Sequence, residues 1–158
     1  MIEIVRQHVM PAAFALLPEP MRAPEAAALL LAIGWQESRF AARRQMPHGP
    51  ARGFWQFEQA GGTRGVIGHE RTRPHVQTLW AALGYRDALT PFALQDALTH
   101  NDILACGCAR LLLWTLPWPL PRADQPDDGW RQHLAAWRPG KPHPETWRQA
   151  WAIGWTTT

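Results

Sequence analysis

Between residues 24 and 40 the chain reads PEAAALLLAIGWQESRF, and from Ala26 to Trp35 it carries no charge. Pro24 and Glu25 suit the first turn of a helix, where a missing N–H leaves no bond unmade and an acid faces the positive end of the dipole. At about 100° per residue, Ala26, Leu30, Ile33 and Glu37 lie within roughly 60° of one another, while Leu31 and Trp35 lie opposite. The pattern predicts a central helix covered on all sides, with Glu37 on an apolar face as its only acid beyond the first turn. A carboxyl group so placed is neutralised, paired, or kept protonated as a working acid, because desolvation disfavours its charged form.

The rest of the chain repeats the helical period with breaks at proline and glycine. Residues 2–17 predict one broken helix or two short ones, with Pro11 at the break. Residues 41–53, AARRQMPHGPARG, mix charge, proline and glycine and predict an exposed loop. Residues 53–57, GFWQF, are too few for a helix, and Gly61, Gly62, Gly65 and Gly68 predict a second loop. Helices are expected from Thr72 or Arg73 to Gly84, from Thr90 and Pro91, and over 101–116, where Ile103, Cys106, Arg110, Leu111 and Trp114 recur at helical intervals. After an acidic turn at 124–128, residues 130–138 predict a short helix, and a last one starts at Pro144 and Glu145. No segment alternates with period two, so the predicted class is mainly α. The chain of 158 residues fits one domain, 1–158, long enough to bury roughly 68–70% of its unfolded surface without a disulfide or metal.

Composition changes this picture in two places. The net charge of +3 is carried almost wholly by arginine, since Lys141 is the only lysine, and the excess is local. Seven arginines fall between Arg39 and Arg73 against two acids, Glu58 and Glu70, which suits an anionic polymer or a solvated surface; Arg43, Arg44 and Arg52 are candidates to hold carboxylates or phosphates. Cys106 and Cys108 lie two apart, on different sides of a helix, and read as free, structural thiols. No apolar run approaches the roughly 20 residues of a membrane span. The N-terminal segment lacks the pattern of a signal peptide, because Glu3 precedes any basic residue and Pro11, Pro18 and Pro20 interrupt the apolar stretch. The expectation is a chain made in the cytoplasm.

Candidate chemistry centres on Glu37 with Ser38 and, after 18 intervening residues, Gln56 within an aromatic cluster. A glycosidic oxygen leaves readily only if protonated as its bond breaks, and a carboxylic acid in an apolar site can supply that proton. Gln56 offers donor and acceptor atoms to a substrate amide, while Phe54, Trp55 and Phe57 offer ring faces to sugars. The bland alternative is a buried glutamate capped by arginine beside ordinary core aromatics. HERTRPH, residues 69–75, has the wrong spacing for a zinc helix and contains Pro74, so no metal or cofactor is expected. Trp147, Trp151 and Trp155 form an i, i+4, i+8 stripe, expected as a core face.

ESRF, a basic loop and GFWQF together resemble the soluble lytic transglycosylase and goose-type lysozyme superfamily, which pairs an E-S helix end with a G-L-M-Q type segment. NDILACGCARLLL is similar to that family's N-I-x-x-G-x-x-Y-L helix at Asn101, Ile103, Gly107 and Leu111. LAAWRPGKP resembles its A-A-Y-N-A-G-P segment at Ala135, Ala136 and Gly140. The four segments span about 24–142 in the family's order. The resemblance implies a lysozyme-like helical domain with Glu37 as catalytic acid, Ser38 orienting substrate and Gln56 beside it, acting on the glycan strands of peptidoglycan. It sets Trp137 where the family has a tyrosine whose hydroxyl contacts the acid, and Arg138 where it has an asparagine. With no carboxylate between Glu37 and Gln56, it favours transglycosylation, with hydrolysis as a muramidase the alternative. It also implies action at the cell wall; the missing signal suits a phage-derived enzyme released by a holin or carried in a virion, or a bacterial protein exported by a dedicated machine, so phage virion or secretion proteins are candidate partners. Two rival classes are a catalytically inactive tail or secretion-apparatus component and a basic helical nucleic-acid binder; no nucleic-acid partner is expected.

Overall fold

A computed structural model describes residues 1–156; the last two positions of the expected domain, Thr157 and Thr158, lie outside them. The protein is mainly α, and among the described residues the only extended pairing is two isolated bridges, Arg44 with Arg52 and Arg52 with Phe57. In chain order the helices are α1 (Ile2–Ile4), α2 (Met10–Ala15), α3 (Pro24–Ser38), α4 (Arg64–Gly68), α5 (Arg73–Ala82), α6 (Pro91–Ala97), α7 (Asp102–Trp114), α8 (Pro126–Trp137) and α9 (Pro144–Thr156).

Helix α3 is the centre, as its uncharged run predicts. Every residue from Ala28 to Gly34 is buried. Its broadest partner is α9, and the two backbones come close at Gly154, where a Cβ would stand 2.4 Å from Ala28 O. That contact explains a glycine inside a helix, a position that costs about 1 kcal/mol relative to alanine. Gly34 has a similar reason. A Cβ there would lie 2.3 Å from Phe40 Cζ and 3.2 Å from Trp55 Nε1, so the missing side chain makes the slot into which both rings dock.

Helix α7 runs on the other side of the core, buried from Leu104 to Leu113 and capped by Asn101, whose Oδ1 accepts from Leu104 N at 3.0 Å. Cys106 and Cys108 on it are free and buried, and burial pushes both thiols up from their ordinary range. Arg110 is buried too; its Nε donates to Met21 O at 2.7 Å and its guanidinium lies over the Trp114 ring. Trp147 and Trp151 are core residues, their indole N–H groups donating to Pro126 O and Ala123 O. Among the described residues no helix is long and apolar enough to cross a membrane.

Three local expectations need correction. Residues 2–15 run on as helix through Pro11, because the turn ahead of it, Val5–Val9, widens to π-helical spacing and spares the ring its clash. The glycine-rich segment after Glu58 is helical, a π-turn over Gln59–Thr63 leading into α4. Gly62 answers to packing, since a Cβ there would meet the Phe57 ring at 2.9 Å, whereas one at Gly65 would make ordinary contact with Leu112 and those at Gly61 and Gly68 would meet nothing within 4 Å. Helix α8 starts at Pro126 instead of Trp130, taking Asp127 and Asp128 into its first turn, where they face the dipole.

Candidate active site

Helix α3 stops at Ser38 because Arg39 and Phe40 take left-handed backbone angles, φ 56° and 53°. The Ser38 hydroxyl holds this reversal. It accepts from Phe40 N at 3.1 Å and lies 2.7 Å from Phe54 O, to which it donates. The side chain expected to orient substrate is therefore committed to backbone, and its service to the site is to fix where the helix ends.

The Gly53–Phe57 segment is a tight turn closed by reciprocal bonds between Arg52 and Phe57, N to O at 2.9 Å and 2.8 Å. Gly53 has φ 72°, and a Cβ there would press on Leu98 O at 2.9 Å, so glycine meets both the conformation and the space. Phe54 and Trp55 were expected to offer ring faces to sugars. They are 1% and 0% exposed and cannot do so. Phe54 packs edge-on to Phe40 beneath the Arg43 guanidinium, and Trp55 fills the Gly34 slot with its Nε1 donating to Leu30 O at 2.9 Å. Phe57, also 1% exposed, likewise offers no ring face to a sugar, although it lies in the wall of the cleft described below. Gln56 sits at φ 50°; its Nε2 donates to Gly53 O at 2.9 Å, and its Oε1 has no protein partner among the described residues.

Helix α8 completes the arrangement. Trp137 was expected to stand where a hydroxyl contacts the acid. Instead its Nε1 donates to Trp55 O at 2.6 Å, and its ring meets Phe57 edge-on at 6.0 Å. An indole has one N–H to donate, and with that spent on Trp55 O it secures the turn and leaves the carboxylate to another residue. That residue is His133, one helical turn earlier, whose Nε2 lies 2.6 Å from Glu37 Oε1. Glu37 is thus hydrogen-bonded at one carboxyl oxygen. Its side chain is 17% exposed, whereas that of His133 is 1% exposed. The helix predicted to begin at Trp130 already contained His133 four residues before Trp137, and that spacing was the one signal in the sequence for the pair.

Glu37, Ser38, Gln56, Phe57, His133 and Trp137 border one open cleft of about 1320 Å³. Its rim carries Arg39, Arg44, Arg64, Arg138 and Lys141, against the acids Glu37 and Glu58. Arg43 and Arg52 are occupied elsewhere. The Arg43 guanidinium makes two 2.7 Å bonds to Asp102, which raise its pKa above the ordinary value against partial burial, and Arg52 Nη1 donates to Gly49 O and Ala51 O. The loop carrying Lys141 is tied to the helix end through Gln36, whose Nε2 donates to His143 O at 2.9 Å and whose Oε1 accepts from Thr146. Among the described residues, the non-glycine positions with positive φ are Arg39, Phe40, Gln56 and Arg138. Arg39, Gln56 and Arg138 line the cleft, and Phe40 is packed in the core. Arg39 and Arg138 are the left-handed residues that end α3 and α8. Among the described residues no group of three His, Cys, Asp or Glu side chains is disposed to hold a metal.

No protein-family model, curated protein or solved structure matches this chain.

Proposed function

We propose that this chain cleaves the β-1,4 bond between N-acetylmuramic acid and N-acetylglucosamine in peptidoglycan, as a lytic transglycosylase. The observation that carries the reading is Glu37: one carboxyl oxygen is anchored in the protein, and the side chain opens into a large cleft with a cationic rim. A volume of about 1320 Å³ exceeds the 300–1,000 Å³ typical of small-ligand sites and suits a polymer. The arginines suit one bearing lactyl and peptide carboxylates. Three segments that resemble the transglycosylase superfamily, the α3 end, the Gly53–Phe57 turn and residues 134–142, border this cleft, and Leu112 of the fourth lines it as well.

In the proposed reaction, protonated Glu37 gives its proton to the glycosidic oxygen as the C1–O4 bond breaks. The substrate's acetamido group supports the positive charge at C1. Glu37, now a carboxylate, takes the proton from the muramyl 6-hydroxyl as O6 bonds to C1, closing a 1,6-anhydro ring and returning the acid to its starting state. Gln56 Oε1 is placed to accept from a substrate N–H. A second reading, hydrolysis as a muramidase, is favoured by one observation: the exposed Glu58 lines the same cleft and supplies a second carboxylate.

The test is digestion of purified peptidoglycan followed by mass analysis of the muropeptides. Anhydro-ended products from the wild type, lost in a folded Glu37→Gln variant, are expected. Reducing-end products would give the muramidase reading, and a folded wild-type protein that releases neither would overturn both.

A further inference from the structure

His133 is buried, titratable and used by no step above. Its ring lies parallel to that of Trp147, with 3° between the planes and 5.5 Å between centroids, and Trp130 and Trp137 flank it at 5.2 Å and 6.0 Å. Helices α8 and α9 thus close an aromatic box around an imidazole, and α3 presents Glu37 at its open side. Nε2 meets Glu37 Oε1 at 2.6 Å, while Nδ1 is buried with no partner among the described residues.

That asymmetry decides where the ring's proton sits. An imidazolium, or the tautomer protonated on Nδ1, would bury an N–H with nothing to receive it. The tautomer protonated on Nε2 leaves only a bare lone pair at Nδ1, and native proteins tolerate a buried unpaired acceptor better than an orphaned donor. The contact is therefore an N–H donated to Oε1. Oε1 can accept it whether the carboxyl group is ionised or protonated, so the bond survives both halves of a proton-transfer cycle.

We propose that His133 is the positioning residue of Glu37: a neutral imidazole that holds Oε1 through Nε2–H and thereby assigns the acid's proton to Oε2, the oxygen with no protein partner among the described residues. The aromatic box fixes the ring plane, the ring fixes the carboxyl rotamer, and the proton is delivered from a single oxygen. The inference rests on Glu37 acting as the general acid.

Two substitutions separate positioning from packing. His133→Phe keeps a flat ring between Trp130 and Trp147 but has no donor, whereas His133→Gln carries an amide N–H at comparable reach. With peptidoglycan as substrate, the Phe variant is expected to lose on the order of 10- to 100-fold in kcat, the loss of one hydrogen bond to a charged group, with KM little changed, and the Gln variant to regain most of it. Wild-type kcat in the folded Phe variant, or equal losses in both variants, would overturn the proposal. A second readout is independent of activity. Ring 15N NMR of histidine-labelled protein, with the His133 signals assigned by their absence in His133→Phe, is expected to show Nδ1 unprotonated and Nε2 protonated at neutral pH. A protonated Nδ1 would refute the assignment. If the wild type releases no muropeptides, the general-acid role of Glu37 falls, and the positioning role falls with it; the NMR result then still decides the hydrogen bond alone.

Discussion

Substituting Gly154 by alanine tests the packing on which the whole site stands. The added Cβ would lie 2.4 Å from Ala28 O and 3.1 Å from both Ala32 Cβ and Ala32 N, whereas ordinary contact begins at 3.4 Å; the shortfall is 3.4 − 2.4 = 1.0 Å. The obstructing oxygen belongs to the backbone of a buried helix, which has no rotamer to change, so α9 must back away or α3 must bend. Overpacking of this kind costs about 1–3 kcal/mol, and rigid surroundings point to the upper end. Alanine returns about 1 kcal/mol of helix propensity. The net expectation is a loss of about 2 kcal/mol, or about 4–8 °C in Tm for a domain of this length. Far-UV circular dichroism melts would measure it, with Gly61→Ala as control, because no atom lies within 4 Å of a Cβ built there. A Tm for Gly154→Ala at or above that of the wild type would refute the close approach of α3 and α9.

Two further outcomes follow from the same structure. Burial holds the Cys106 and Cys108 thiols above their ordinary pKa range and so disfavours the thiolate; the native protein is expected to be inert to a thiol reagent at mildly alkaline pH, with both groups reacting once denaturant is added, and rapid native labelling would contradict the placement of α7. The Arg43–Asp102 pair is bidentate but only partly buried, its side chains 39% and 20% exposed, so a double-mutant cycle with Arg43→Gln and Asp102→Asn should give a coupling of about 1 kcal/mol that shrinks in concentrated salt. A coupling near zero at low salt would mean that the pair does not anchor the loop.

How much of this was legible in the sequence depended on whether the cause lay within a few residues. The central helix was, because its first turn and its uncharged run are local, and so were α5, α6 and α7, which carry their own capping residues or first-turn prolines. The helical path over residues 59–68 was not, because four glycines in ten residues read as a loop, and Gly62 is seen to make room for Phe57 and Leu112 only once the fold brings those side chains against it. The aromatic cluster could be found but not oriented: a buried Trp55 and one offered to a sugar read alike until Gly34 is seen to make room for the ring. Glu37 was legible as an acid on an apolar face. Its partner was not, since nothing near Glu37 in the chain points to His133, and the resemblance directed attention to Trp137 instead.

The hydrogen bond between Glu37 and His133 joins residues 96 apart, and that between Trp55 and Trp137 joins residues 82 apart. Contacts of such span close large loops, whereas each helix is built from local contacts. Helical content and an assembled cleft are therefore separate outcomes of folding. A chain that has wound α3 but not yet docked α8 already holds its carboxyl group and has nothing to aim it. On the proposed function, the carboxyl group is aimed only once α8 has docked, so helical content by itself does not report an assembled site.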